Sequence, residues 1–205
     1  MTRPRLIVIT DWSLPREALL ARLERALSAG PEVAVQHRHP EAPTRRFLEE
    51  ARALHALCAR RGNPLFINGR LDVALLLGAH LHLPSEGLLP AEARPFLKPG
   101  TWLSLAVHGE ADAEAARGAD FALVSPVFPP GSKPSDIRPT LGVEGFFALA
   151  QRLPCPAYAL GGVDAERAAQ LRGAAGAAAI TPVLNAADPE RAAREILAAL
   201  GPATR

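Results

Sequence analysis

Two stretches of sequence predict the fold of this chain: Ala159-Leu160-Gly161-Gly162-Val163-Asp164 and, further on, Gly176-Ala177-Ala178-Ala179-Ile180-Thr181. Each is typical of a buried strand that runs into a turn of glycine or small residues, with a helical pattern close behind. In a (β/α)8 barrel, the loops after the seventh and eighth strands form the usual phosphate site, where backbone N–H groups hold the anion. A Gly-Gly pair alone more often marks an ordinary turn, so the rest of the chain has to support the barrel.

Apolar runs recur along the chain at intervals of roughly 20 to 30 residues, the spacing expected when strands alternate with helices. We predict strands at residues 6–10, 33–38, 65–68, 79–83, 102–107, 121–125, 157–160 and 177–181. Helical patterns lie between them, and we predict helices at residues 15–29, 43–61, 71–77, 90–96, 110–117, 143–152, 165–172 and 189–200. Such strict alternation indicates a closed parallel sheet.

We therefore expect an α/β protein, a single (β/α)8 TIM barrel in which residues 1–205 form one domain. No linker-like stretch divides the chain. The longest irregular segment, residues 126–140, follows the sixth strand and falls on the C-terminal face, where barrel enzymes keep their active sites. A loop that long inside a compact domain is usually functional, and a plain surface excursion is the alternative.

Composition limits the classes of partner. Of the 205 residues 48% are hydrophobic and 21% charged, and the net charge of +2 is not gathered in a basic block. Nucleic acid and anionic membranes are therefore not expected as partners. The N-terminal apolar run ends at Asp11, too soon for a signal peptide or a membrane span. With only Cys58 and Cys155, and no metal-type spacing, we predict a cytoplasmic protein.

Polar side chains at the carboxyl ends of the strands are the candidates for substrate binding. Gln36 and Arg38 alternate along the second strand and would share one face, Asn68 ends the third strand, and Ser104 belongs to the fifth. An ion pair in the barrel mouth is an equally good role for Arg38.

Three residues are candidates for acid–base chemistry: His82, His108 and Lys133. Histidine suits that task because its unperturbed pKa lies near neutrality. A histidine between leucines, as His82 is, more often belongs to the core than to a site. Lys133 lies in the long loop of a chain whose basic residues are otherwise almost all arginine, which favours a role for a compact charge.

The chain as a whole resembles the thiamine phosphate synthase/TenI family, over about residues 6–196. The matching pieces are 8–11 (Val-Ile-Thr-Asp), 35–38 (Val-Gln-His-Arg), 66–74 (Phe-Ile-Asn-Gly-Arg-Leu-Asp-Val-Ala), 104–108 (Ser-Leu-Ala-Val-His), 118–121 (Gly-Ala-Asp-Phe), 126–129 (Pro-Val-Phe-Pro) and 159–163 (Ala-Leu-Gly-Gly-Val), together with the strand that ends at Thr181. The resemblance implies a TIM barrel of thiamine biosynthesis that binds a phosphorylated thiazole. It also implies a phosphate site at Gly161, Gly162 and Thr181, with Gln36, Arg38, Asn68 and Lys133 in the pocket. From the turn that precedes the last helix, we expect the backbone N–H groups from Thr181 to Val183 to contribute to the same phosphate site.

A synthase of this family joins an aminopyrimidine pyrophosphate to a thiazole phosphate and releases pyrophosphate, with magnesium. Its pattern carries aspartates on the metal where this chain has Gly69 and, allowing a one-residue gap, Gly87, and a lysine where this chain has Pro40. Glycine offers no oxygen side chain to Mg²⁺, and Glu86 is the nearest substitute. These differences predict a low magnesium-dependent synthase rate.

The turn at Asn68-Gly69-Arg70 is similar instead to the TenI-like branch, whose activity is tautomerisation of a thiazole phosphate without a metal. That activity uses a histidine at the position of Pro126 here. Our leading expectation is a metal-independent, TenI-like tautomerase that requires no cofactor. The alternatives are a thiamine phosphate synthase, with magnesium as its cofactor, and a catalytically inactive binder or sensor. In each case the partner is a small phosphorylated thiamine precursor, and a homodimer is left open.

Overall fold

The computed structural model describes residues 3–129 and 139–202. The strands are β1 (Leu6–Ile9), β2 (Val33–His37), β3 (Leu65–Asn68), β4 (His80–Leu83), β5 (Leu103–Val107), β6 (Phe121–Val124), β7 (Ala157–Leu160) and β8 (Gly176–Ala179). The helices are α1 (Arg16–Leu27), α2 (Thr44–Arg61), α3 (Leu71–Leu77), α4 (Pro90–Ala93), α5 (Gly142–Ala150), α6 (Ala165–Gln170), α7 (Thr181–Leu184) and α8 (Pro189–Leu200).

The strands form one closed barrel in chain order, β1 to β8, and every neighbouring pair is parallel. Closure is made by β8 against β1, with Ala178 opposite Ile7. The predicted α/β class and single (β/α)8 barrel are therefore confirmed. Because all strands run the same way, their carboxyl ends meet at one mouth of the barrel, where the predicted site residues would converge.

Alternation along the strands separates two apolar layers. Ile7 and Ile9 point into the barrel, where an aromatic group fills the N-terminal half: Phe66, Phe121 and Tyr158. Leu6 and Val8, from the other face of the same strand, join the layer between sheet and helices. The large rings thus lie in the N-terminal half of the barrel interior, away from the carboxyl ends of the strands.

The connection between β5 and β6 differs from the prediction of a helix at residues 110–117. It consists of two 3₁₀ turns, Glu110–Asp112 and Glu114–Ala116. Its apolar side chains are alanines only, so an α-helix there would bury little surface against the barrel. The carboxylate of Asp112 instead accepts a hydrogen bond from the His108 backbone N–H (2.7 Å), which holds the first turn against the end of β5.

In the described part of the chain, no helix is both long enough and apolar enough to cross a membrane.

Candidate functional site at the carboxyl ends of the strands

A cavity of about 930 Å³ opens at the C-terminal mouth of the barrel. This is near the upper end of the usual range for ligand pockets, about 300–1,000 Å³. Eight predicted site residues line it: Gln36, Arg38, Asn68, His82, His108, Gly161, Gly162 and Thr181. The barrel thus brings together residues that are far apart in the sequence, because each lies at or just beyond the end of a strand.

The end of β2 supplies an amide and a guanidinium to the cavity wall. Gln36 is buried, and its Nε2 is not hydrogen-bonded to any group in the described part of the chain. Arg38 is half-buried and forms no ion pair within the described residues. Since a buried amide donor without an acceptor is costly, Gln36 is suited to donate to a ligand oxygen or nitrogen.

Asn68 and Gly69 form the tip of β3. Gly69 has φ +69°, and a Cβ placed there would meet only the Pro84 ring, at 3.7 Å and beyond. The amide of Gly69 donates to the His82 carbonyl (2.8 Å), which holds the tip of β3 against β4. The position therefore has room for a side chain, although only residues that adopt a left-handed conformation fit its backbone.

His82 lies inside the barrel and lines the cavity. Its Nδ1 is 2.9 Å from the Ser104 hydroxyl. Burial, together with the charges of Arg38 and His108, lowers the pKa of His82 to about 3. The imidazole is therefore neutral at physiological pH. Ser104 is fully buried and does not line the cavity, so the structure places it behind His82 rather than against a substrate.

His108 stands at the end of β5. Its Nδ1 is 2.8 Å from the Ser125 carbonyl oxygen and 3.2 Å from the Ser125 hydroxyl. A carbonyl can only accept, so Nδ1 carries a proton in this contact. His108 thus lies at the cavity wall with its Nδ1 directed at Ser125.

The turn after β7 approaches the turn after β6 very closely. A Cβ on Gly162 would lie 2.5 Å from the Pro129 carbonyl oxygen and 2.7 Å from Nη1 of Arg167, and φ at Gly162 is +62°. Only glycine fits this turn without displacement. Within the described residues, the amides of Gly162 and Thr181 donate to no other group. Both amides are therefore available to bind an anion, which is the role that the sequence predicts for this turn.

Val183 does not contribute to the cavity wall. It is fully buried, and its amide already donates to the Ile180 carbonyl (3.2 Å), because the turn after β8 closes into the short helix α7. Lys133 lies outside the described residues. Sequence reasoning missed Arg167, which lines the cavity beside Gly162. Its position in the first turn after a helix-capping aspartate, Asp164, was the available signal.

The described residues do not fit a magnesium site built on protein carboxylates. They contain no group of three or more His, Cys, Asp or Glu side chains placed to hold a metal ion. Asp72 is held by two hydrogen bonds from Arg70, at 2.9 and 2.6 Å, and Glu86 is exposed and outside the cavity wall. With Gly69 beside Asn68, the strand tips present amides and cations rather than the carboxylates that Mg²⁺ uses.

The fold and this mouth define a (β/α)8 barrel with a ligand-sized cavity at the carboxyl ends of its strands. Residues 6–183 match the family model described as thiamine monophosphate synthase, and the chain belongs to that family. It is 40% identical to a putative thiamine-phosphate synthase of Geobacter sulfurreducens, over 91% of this chain and 89% of that protein. It is 39% identical to a thiamine-phosphate synthase of Thermus thermophilus, over 90% of this chain and 89% of that protein.

A solved structure gives the same assignment. The thiamine phosphate pyrophosphorylase of Pyrococcus furiosus superposes with a TM-score of 0.80 at 28% identity, covering 96% of this chain and 95% of that one. The family resemblance noted in the sequence is thus confirmed, together with a place in thiamine biosynthesis. The names of the relatives do not favour a TenI-like tautomerase over a synthase.

Proposed function

We propose that this protein forms thiamine phosphate by joining an aminopyrimidine pyrophosphate to a thiazole phosphate, with release of pyrophosphate. The observation that carries the proposal is its likeness, along nearly the full length of both chains, to proteins named thiamine-phosphate synthase. The sequence alone favoured a metal-independent tautomerase. The names of these relatives support the synthase, which was the second interpretation, better than the first.

The cavity offers separate places for two ligands. The amides of Gly162 and Thr181, which donate to no described residue, suit the phosphate of the thiazole, since backbone N–H groups at such turns bind anions. Arg38, Asn68 and Gln36 lie on the β2–β3 side and suit the pyrimidine pyrophosphate. A volume of about 930 Å³ is enough for two small ligands in contact, which a condensation requires.

Charge on the leaving pyrophosphate has to be met by groups of this chain. Arg38 is the cation on the β2 side, and its guanidinium can bind two phosphate oxygens at once. Because Gly69 and Gly87 supply no carboxylate, we assign no step to a protein-bound metal. Losing one well-placed electrostatic stabiliser costs about 10²–10³ in rate. We therefore propose a slow synthase.

A metal-independent thiazole tautomerase is the second candidate, and the arrangement of two imidazoles favours it. His82 and His108 line the same cavity. Burial lowers the pKa of His82, so its ring is neutral, and Nδ1 of His108 donates to the Ser125 carbonyl. A proton transfer between two carbon positions needs one group that accepts and one that donates. The same amides at Gly162 and Thr181 would hold the phosphate.

Two assays with the purified chain separate these functions. The first supplies pyrimidine pyrophosphate and thiazole phosphate and measures thiamine phosphate. The second supplies the carboxylated thiazole phosphate alone and follows proton positions by NMR. Thiamine phosphate formed in the first assay supports the synthase. Proton exchange on the thiazole in the second assay, with no thiamine phosphate in the first, supports the tautomerase. If the chain binds thiazole phosphate and catalyses neither reaction, it is a binder or sensor of thiamine precursors.

A further inference from the structure

We propose that Arg167 binds the phosphate of the ligand and makes the site specific for phosphorylated over unphosphorylated thiazole. The proposal rests on the proposed function, in which the phosphate occupies the turn at Gly162. It departs from the sequence-based expectation that backbone amides alone form the phosphate site.

Arg167 is held against this turn by three contacts. Its Nη1 donates to the Gly162 carbonyl oxygen at 2.7 Å, and its backbone N–H donates to the Asp164 carboxylate at 2.9 Å. The guanidinium carbon lies 5.3 Å from the centre of the Phe128 ring, over its face. A ring beneath the guanidinium leaves the edge with the remaining N–H groups for an acceptor.

The charge of Arg167 has no carboxylate partner in the described part of the chain, unlike that of Arg25, Arg70 or Arg94, each of which forms an ion pair. Asp164 is the only carboxylate among the described residues of the cavity wall, and its Oδ1 caps α6 by accepting the Arg167 amide. A half-buried guanidinium whose remaining donors are not used by any described residue, beside an amide that those residues also leave unused, is the chemistry that binds a phosphate dianion.

The guanidinium of Arg167 lies close enough to Gly162 for the guanidinium and the Gly162 amide to bind the same phosphate. Nη1 lies so near the turn that a Cβ on Gly162 would be only 2.7 Å from it. A phosphate that accepts from the Gly162 amide would therefore be adjacent to the guanidinium. Charge-assisted hydrogen bonds of this kind contribute about 1.5–3 kcal/mol each, equivalent to about 10- to 100-fold in affinity.

Calorimetric titration of the purified chain with thiazole phosphate, with the unphosphorylated thiazole alcohol and with inorganic phosphate tests this. We expect Arg167→Gln to weaken thiazole phosphate by about 10- to 100-fold and to leave the alcohol unchanged. Arg167→Lys should recover part of the loss. Arg172→Gln is the matched control, because Arg172 is exposed, follows the same helix and lies outside the cavity wall.

The remaining outcomes contradict either the role of Arg167 or the proposed function. Equal affinity of wild type and Arg167→Gln for thiazole phosphate would overturn the role of Arg167. Equal losses for phosphate and alcohol would also overturn it, since Arg167 would then only hold the turn. If wild type fails to bind thiazole phosphate, the proposed function fails. In that case Arg167-dependent binding of inorganic phosphate would still support the anion site, and its absence would overturn both.

Discussion

The side chain of Thr10 binds the backbone of Arg38 from both sides. Its Oγ1 accepts from the Arg38 N–H at 3.0 Å and donates to the Arg38 carbonyl oxygen at 3.1 Å. Thr10 is buried at the end of β1, directly beside β2. This pair of bonds holds the backbone from which the Arg38 side chain reaches the cavity.

Replacing Thr10 by valine keeps the shape and removes both hydrogen bonds. Each is worth about 1 kcal/mol, so we expect Thr10→Val to lower the free energy of unfolding by about 1–2 kcal/mol. Because Arg38 is then less well placed, KM for the pyrimidine pyrophosphate should rise about tenfold, with KM for thiazole phosphate little changed. Thr10→Ser, which keeps the hydroxyl, is the control. Equal rises in both KM values would contradict a specific role at Arg38.

Gly162 and Gly78 have the same φ of +62°, but only Gly162 is crowded. Alanine at either position should cost about 1–2 kcal/mol in backbone strain. At Gly162 the added Cβ must also displace Pro129 or Arg167, whereas at Gly78 it meets nothing within 4 Å. We expect affinity for thiazole phosphate, measured by calorimetry, to fall by more than about tenfold in Gly162→Ala and to stay unchanged in Gly78→Ala. If wild type and Gly162→Ala bind thiazole phosphate with equal affinity, the phosphate does not bind at this turn.

Two buried histidines, His37 and His82, and the half-buried His80 should make stability depend on pH. Burial is the main cause that lowers the pKa of His37 and His80 to about 4 and that of His82 to about 3, from 6.5. Below about pH 6.5 the unfolded chain takes up protons that the folded chain does not, so the free energy of unfolding falls as the pH drops toward 4. The slope is at most about 1.4 kcal/mol per pH unit for each histidine. Urea unfolding at several pH values measures it. His80→Gln should make the slope shallower, and a stability independent of pH from about 7 to about 5 would contradict these shifts.

Much of the fold follows from periodicity in the sequence. The bounds of β3, β7, α3 and α8 agree with the prediction, because apolar runs and glycine or proline mark both ends. Residues 10, 38 and 125 were included in strands that end one residue earlier. The error has a physical basis, since the Thr10 amide still donates to Gln36 across the sheet. The prediction of a helix at 110–117 was wrong, because a helix whose apolar side chains are all alanines gains little free energy from burial.

The site could be predicted where it depends on strand ends and not where it depends on side-chain contacts. Alternation and topology were sufficient to bring Gln36, Arg38 and Asn68 to one mouth. The sequence could not show that Ser104 lies behind His82, since layers inside a barrel depend on the tilt of its strands. Nor could it show that a guanidinium from α6 turns back onto Gly162. That contact depends on the Phe128 ring, which comes from a different loop.

A substitution at Gly69 tests the proposed synthase activity directly. A Cβ there meets only Pro84 at ordinary contact distance, and aspartate and asparagine are among the few residues that adopt its φ of +69°. Gly69→Asp therefore adds a carboxylate beside Asn68 without crowding. Gly69→Asn has nearly the same shape and no charge, which makes it the matched control.

Steady-state formation of thiamine phosphate from pyrimidine pyrophosphate and thiazole phosphate, with and without Mg²⁺, tests the proposed synthase activity directly. We expect the unmodified chain to form thiamine phosphate above the rate without protein. We also expect Gly69→Asp to raise the magnesium-dependent rate by about tenfold or more, and Gly69→Asn to leave it unchanged. If the unmodified chain binds thiazole phosphate but forms no thiamine phosphate under either condition, the proposed synthase activity is wrong.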